Sequence, residues 1–378
     1  MLALDTSSQY NCAVPGISIT GEQCIVEFAA AAHGGIARMW FDFSLCNDGA
    51  EKLPEEMVLR MKHIMTMLDG CSGNFRPVIN YGDGWLRLPP PELRQRPDGH
   101  LEAEWSVATP AAGKKIRIAF CYPYDKSDLA ALLCDTAGFW HCDEIGVSQK
   151  DRSIVRLANL YGTPGEKMPG LYLIARQHAG ETAGAWVLDG FLRYIAASRP
   201  KVLVWCVPFA DTDGVEEGNY GKDAYPWDLN RAWGPHAMMR HENCVIANDM
   251  AIWQGRVEKS ASIIVDFHSP GASESGCYAF VNEAIPKGHQ IYDTLKKCQK
   301  KLTQYASANF ILHAGYKPLS AWGTFADLGE YTWEKYGLPT VSLETSYFEC
   351  GNRVMTAADY RAIGSLLAEQ LVRDIAWE

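Results

Sequence analysis

No stretch of this 378-residue chain approaches the apolar length of a membrane helix, so no membrane-spanning role is expected. Its start, Met1-Leu-Ala-Leu-Asp-Thr-Ser-Ser8, lacks the basic and apolar regions of a secretory signal, and a cytoplasmic location is expected. Positive charge is in deficit: 35 Lys and Arg face 45 Asp and Glu, a formal net charge of -10. That balance offers no basic footprint for nucleic acid or an anionic membrane surface. Twelve cysteines are present, but none forms a Cys-x-x-Cys pair. In a chain read as lacking an export signal, they are expected to be free thiols rather than a disulfide framework. Internal repeats and low-complexity segments are missing as well.

What remains is the composition of a soluble globular protein, 47% hydrophobic and 21% charged. The length exceeds one ordinary core, so two domains are expected. Residues 1–120 read as an antiparallel β-sandwich domain. Short segments such as Gln23-Cys-Ile-Val-Glu-Phe28 and Met39-Trp-Phe-Asp-Phe43 are spaced by turn signals at Asn47-Asp-Gly49, Gly82-Asp-Gly84 and Pro97-Asp-Gly99. Residues 121–378 alternate strands with helices, the pattern of an α/β domain whose mixed, mainly parallel sheet is flanked by helices. Strands are expected over 171–175, 202–207, 262–267 and 340–343, and helices over 129–133, 181–197, 289–306 and 357–376.

The residues suited to chemistry fall at the carboxyl ends of those four strands, where open α/β sheets place their sites. His178-Ala-Gly-Glu181 follows the first strand, Asp211-Thr-Asp-Gly214 the second, His268 the third, and Glu344 ends the fourth. A His and a carboxylate three residues apart reach one metal ion, and a distant second His completes a three-ligand site with one position open, as in catalytic zinc. A lone histidine is better read as a satisfied core or surface residue, and the other eight histidines take that reading. For His178 and His268 the convergent placement favours a metal. Asp228-Leu-Asn-Arg231 offers an amide and a planar guanidinium suited to a carboxylate, against the plainer reading of a loop arginine in a surface ion pair. Glu344 ends a short apolar run, where desolvation would raise its pKa toward general-base work; its plainer reading is a structural ion pair.

In this order, His178-Ala-Gly-Glu181, Thr212-Asp-Gly-Val215, Gly218-Asn219, Asp228-Leu-Asn-Arg-Ala-Trp233, Val265-Asp-Phe-His268 and Ser342-Leu-Glu344 resemble the zinc carboxypeptidase superfamily, carboxypeptidase A-like, and within it the cytosolic carboxypeptidase branch. The β-rich start, ending in Phe120-Cys-Tyr-Pro-Tyr-Asp-Lys-Ser-Asp-Leu129, matches that branch too, so the resemblance covers nearly the whole chain. It implies one Zn2+ per chain on His178, Glu181 and His268, with Asp228 orienting His178. It further implies that Asn230 and Arg231 bind the terminal carboxylate of a peptide or protein, and that Glu344 is the general base that hydrolyses the last peptide bond.

The chain departs from that pattern twice. Where the branch carries an oxyanion-stabilising Arg after Gly-Asn, Gly221 stands, with Lys222 beside it as a substitute. Where glutamate-removing members carry a basic residue, Gly323-Thr-Phe-Ala-Asp327 has no cation, so Asp327 or Glu330 is expected to favour a basic C-terminal residue. Tyr331 is the candidate for the tyrosine such sites contribute, against the reading of a core aromatic. Two other functions stay open: an amidase acting on cell-wall-type peptides with the same zinc site, and a catalytically weak binding protein of the same fold. Self-association into a homo-oligomer through the N-terminal domain is left open.

Overall fold

The computed structural model describes residues 1–5, 12–20, 23–32, 35–50, 52–68, 74–234, 237–306, 311–314 and 326–375. These divide into two compact units. One comprises Met1–Pro123 with Glu216–Tyr220 and Gly271–Glu274; the other holds the remainder.

The first unit is built of two five-stranded sheets. Every ladder in them is antiparallel except that between Gln23–Ala30 and Glu56–Met61. Alternation drives the packing: in Gln23–Ala30, Cys24, Val26 and Phe28 are buried while the residues between them are more exposed. Phe28 meets Phe43 of the other sheet at 5.0 Å between ring centroids, which makes a sandwich core.

The second unit is an eight-stranded mixed sheet with helices. Its strands are β1 (His141–Val147), β2 (Ser153–Ala158), β3 (Met168–Ala175), β4 (Leu203–Val207), β5 (Val257–His268), β6 (Cys277–Val281), β7 (Ile311–Ala314) and β8 (Thr340–Thr345). Their order across the sheet is β1-β2-β4-β3-β5-β8-β6-β7. The central ladders β4–β3, β3–β5 and β5–β8 are all parallel. The strands there read as continuous apolar runs because both faces are covered; Leu171 to Ala175 are fully buried. The longer helices are α1 (Lys126–Asp135), α2 (Thr182–Ser198), α3 (His241–Gln254), α4 (Ile291–Ala306), α5 (Leu328–Tyr336) and α6 (Ala357–Ile375). The four expected strands and four expected helices are all present, with α1 longer at both ends than the 129–133 segment; the β1–β2 hairpin, β6, β7, α3 and α5 were not expected.

Residues 182–192 of α2 are all buried, as suits a helix apolar on nearly every face. It crosses α6 at backbone contact. A Cβ on Gly190 would lie 2.0 Å from Arg361 O, and one on Gly364 would lie 1.9 Å from Val187 O. This crossing fixes the start of α2, where Glu181 sits. Among the described residues no helix is long and apolar enough to cross a membrane.

Candidate metal centre

Three side chains from two strand ends and one helix start converge. β3 ends at Ala175, and the chain turns through Arg176 in a left-handed conformation (φ 60°) to His178. The Arg176 guanidinium holds that turn by donating to Ala179 O at 2.6 Å and Tyr124 O at 2.7 Å. Glu181 precedes α2, but its carboxylate makes no cap bond to the helix. Instead Oε1 lies 2.8 Å from His178 Nδ1 and Oε2 lies 2.8 Å from His268 Nδ1. The ligand atoms of His178, Glu181 and His268 all fall within 4.8 Å of one another, and all three residues are buried.

The far nitrogen of each ring also faces a carboxylate. His178 Nε2 lies 3.1 Å from Asp228 Oδ1, and His268 Nε2 lies 2.8 Å from Asp266 Oδ2. A neutral imidazole has one N–H. Once that proton is given to Asp228 or Asp266, each Nδ1 turns a lone pair toward the Glu181 carboxylate. Either two protons or one divalent cation must fill the space between. A His2Glu donor set with both rings oriented by carboxylates is one that zinc takes, so these residues fit the metal.

The charges follow the same logic in the metal-free protein. Burial alone would lower the His178 pKa, but Glu181 and then Asp228 raise it to about 9. His268 is likewise raised well above its ordinary value by Asp266 and Glu181 against the effect of burial. Burial pushes Glu181 upward, yet the two rings hold it well below the usual carboxylate range. A group with a raised folded pKa stabilises fully below its unfolded value and loses that contribution as pH rises through the folded one. The metal-free protein should therefore lose stability from pH 6.5 upward through about 9. Adding zinc near pH 7 should release two protons, one from each ring, and fewer above pH 9. Proton release recorded with a pH indicator in weak buffer checks this; release independent of pH would contradict it.

Asp228 does more than hold His178. Its Oδ1 caps a short turn, Leu229–Arg231, by accepting from Asn230 N at 2.8 Å, and its Oδ2 accepts from Asp223 N at 2.8 Å. Replacing Asp228 by Asn should weaken metal affinity by about 10–100-fold, as removal of such an orienting carboxylate does elsewhere. A chelator-competition titration measures it, and unchanged affinity would refute the role.

That turn carries Asn230 and Arg231. The Asn230 amide is engaged: Oδ1 accepts from Gln177 Nε2 and Leu328 N at 3.2 Å each, and Nδ2 lies 3.2 Å from His268 Nε2. Arg231 is 6% exposed. Its Nη1 donates to Asn230 O at 2.8 Å, while its buried Nε has no partner. No described carboxylate forms an ion pair with it. Asp228 and Asp327 act on it electrostatically without pairing with it, and a buried guanidinium with an unpartnered N–H is costly, so the environment suits a further anion.

Glu344 stands opposite His268 in the β5–β8 ladder. Its Oε2 is shielded from solvent without a hydrogen-bond partner. Burial pushes its carboxyl up to about 7; Glu181 adds to the rise, while His268, Lys222 and His178 oppose it. Lys222 is thus electrostatically linked to the base candidate. Gly221, beside it, has φ +93°, and a Cβ there would lie 2.6 Å from Ala179 N and 3.1 Å from His178 Cα. The backbone of the His178 turn leaves no room for an arginine, or any side chain, at that place.

Two expected residues have other contacts. Asp327 caps α5 by accepting from Glu330 N at 2.8 Å. Tyr331 lies in the core, its ring 5.4 Å from Trp233 and its hydroxyl accepting from Lys335 Nζ at 2.6 Å. Gly323, Thr324 and Phe325 of the specificity stretch lie outside the described residues. Two residues were missed. Gln177 donates to Asp266 Oδ2 at 2.6 Å and accepts from Trp233 Nε1 at 2.7 Å, which fixes the carboxylate that faces His268. Asp266 was readable: an acid two residues before His268 shares its strand face, and it interrupts an otherwise apolar run.

No family model matches the chain. Cytosolic carboxypeptidase 6 of Caenorhabditis elegans is 22% identical over 267 residues, covering 65% of this chain and 57% of that protein. Cytosolic carboxypeptidase 2 of Xenopus tropicalis is 28% identical over 207 residues, covering 50% of this chain and 21% of that one. The chain is thus similar in sequence to cytosolic carboxypeptidases. It spans little more than half the length of the first of these relatives and about a fifth of the second. Among solved structures, a metallo-carboxypeptidase from Burkholderia cenocepacia shares the fold over 99% of both chains, at TM-score 0.76 and 17% identity. One from Pseudomonas aeruginosa, in complex with (2-guanidinoethylmercapto)succinic acid, covers 98% of both chains at TM-score 0.74 and 18% identity.

Proposed function

We propose that the protein is a zinc-dependent metallocarboxypeptidase that removes the C-terminal residue of a peptide or protein in the cytoplasm. The observation that carries this is a buried His178–Glu181–His268 group beside Glu344, whose Oε2 is unpartnered, and near a turn whose buried Arg231 has an unpartnered Nε. One zinc ion per chain, held by the three residues, supplies Lewis-acid polarisation of the scissile carbonyl and acidification of water. Arg231 receives the substrate's terminal carboxylate, which satisfies its orphaned Nε, and Asn230 shapes the same grip. Glu344 takes a proton from the attacking water and passes it to the leaving amine. Lys222 supplies the positive charge that the glycine at 221 cannot carry, as a point charge rather than a planar fork. These roles fall within residues 121–378, read as the catalytic domain, with 1–120 as the sandwich domain. Zinc analysis tests the core of the reading. One equivalent is expected in the wild type and well below one in His178→Ala; a wild type that binds no zinc would overturn it.

The reading extends to the residue removed. A cavity of about 140 Å³ is lined by Glu283, Asp327, Glu330 and Glu334 together with Ser342, two residues before Glu344 on β8. An acidic lining favours a basic side chain, and the ligand of the Pseudomonas aeruginosa structure carries a guanidino group. On matched peptides ending in Lys, Leu and Glu, release should be fastest for Lys; fastest release of Glu would refute the preference.

A further inference from the structure

Outside the metal centre, two buried thiols lie side by side. Cys277 opens β6, and Cys350 lies in the short strand Glu349–Cys350 six residues beyond Glu344. Both are free, both are buried, and their sulfurs are 3.4 Å apart. That separation is short of a bond by about 1.4 Å, given the S–S length of about 2.05 Å. The two segments are already tied together: Cys277 pairs with Thr345 across the β6–β8 ladder, and Ser346 N donates to Gly276 O at 3.1 Å. Closing the bond therefore asks for a small local shift rather than a rearrangement.

We propose that Cys277 and Cys350 are a peroxide-oxidisable thiol pair whose disulfide forms a reversible cross-link beside Glu344. Hydrogen bonding with Cys277 holds the Cys350 thiol below its ordinary value, whereas the same bond, and then burial, raises Cys277 well above its own. Cys350 is accordingly the thiolate that reacts first. It attacks one oxygen of hydrogen peroxide, breaks the O–O bond and releases hydroxide, leaving Cys350 as the sulfenic acid. The Cys277 sulfur then displaces hydroxide from that sulfenic sulfur and forms the S–S bond. In sum two thiols lose two electrons and two protons, and one peroxide becomes two waters. A thiol or phosphine reductant restores the dithiol.

The functional consequence rests on the carboxypeptidase reading. Thr345, the residue opposite Cys277, is the immediate neighbour of Glu344. Drawing the two sulfurs together strains this segment, and a misplacement of about 1 Å at a reacting group costs on the order of 10²-fold in rate.

The test uses the zinc-loaded full-length protein treated with a small excess of hydrogen peroxide, then alkylated and digested for mass spectrometry. A cross-linked peptide pair containing Cys277 and Cys350 is expected, with ten of the twelve thiols still alkylated. Hydrolysis by the wild type should fall at least tenfold and recover with a phosphine. Cys350→Ser and Cys277→Ser should show neither cross-link nor peroxide-sensitive activity, and Cys350→Ala serves if the serine variant folds poorly. Recovery of Cys277 and Cys350 as alkylated thiols while the exposed Cys134 and Cys142 are oxidised would overturn the proposal. So would equal inactivation of wild type and Cys350→Ser. The peptide map does not depend on catalysis, so a protein without carboxypeptidase activity could still show the cross-link, and the two failures are distinguishable.

Discussion

Glu344→Gln should retain its zinc and lose about 10²–10⁴ of its turnover, with the larger part of the loss in kcat rather than KM. The exchange keeps shape and volume but removes a group that can accept a proton. Because Glu344 Oε2 has no partner in the free protein, no structural hydrogen bond is lost with it. A drop in rate would then report chemistry rather than unfolding. The acid limb of kcat/KM checks the same assignment from the other side. In the metal-free protein burial pushes this carboxyl up to about 7. Zinc that displaces the two ring protons exchanges two positive charges for two, so the net charge beside the carboxyl is unchanged. The wild-type profile should therefore rise through a pKa of about 7, and the limb should vanish in the residual activity of the Gln variant. Steady-state kinetics on one peptide series decides it. Full activity in Glu344→Gln would remove the residue from the mechanism.

Gly364→Ala should be among the most destabilising substitutions in the molecule, although alanine is the better helix former by about 1 kcal/mol. The added methyl would lie 1.9 Å from Val187 O and 2.7 Å from Phe191 N, backbone atoms that no rotamer change can move. Helices α2 and α6 must part, and overpacking of this kind costs about 1–3 kcal/mol, occasionally more. Gly190→Ala meets Arg361 O at 2.0 Å and should behave alike. The urea midpoint should fall with an unchanged slope. Because α2 starts directly after Glu181, the same variants should also bind zinc less tightly. A Gly364→Ala protein as stable as wild type would refute this reading of the crossing.

How much of this was legible before the fold depends on what kind of signal each residue leaves. The triad and Asp228 were readable because parallel strands deliver their ends to one edge, and each motif followed an apolar run of strand length. Asp266 was equally readable, since an acid within a buried strand demands a partner. Helix α3 was not. Its buried face includes Glu242, Asn243 and Asp249, so it shows no clean apolar stripe. Those side chains are buried because each has a partner far away in sequence: Asn243 donates to Leu229 O at 3.0 Å, and Asp249 receives Arg156 at 2.8 Å. The β1–β2 hairpin was missed for a different reason: β1 lies at the sheet edge and much of it is exposed, so it lacks the apolar run that marked the central strands. Gly221 is a third case. The sequence shows that an arginine is missing there, but only the approach of the His178–Ala179 backbone shows why none fits.

Asp228 joins two events that are usually described apart. A single carboxylate steadies the His178 ring through one oxygen and, through both, the loop and turn that present Asn230 and Arg231. In the proposed enzyme, whatever fixes the ring also fixes the grip on the substrate's terminus. Occupancy of one site must then bias the other, and by thermodynamic reciprocity the factor is the same in both directions. If the proposed roles hold, a peptide on Arg231 tightens the metal, and a metal-depleted protein binds its substrate with a looser hand.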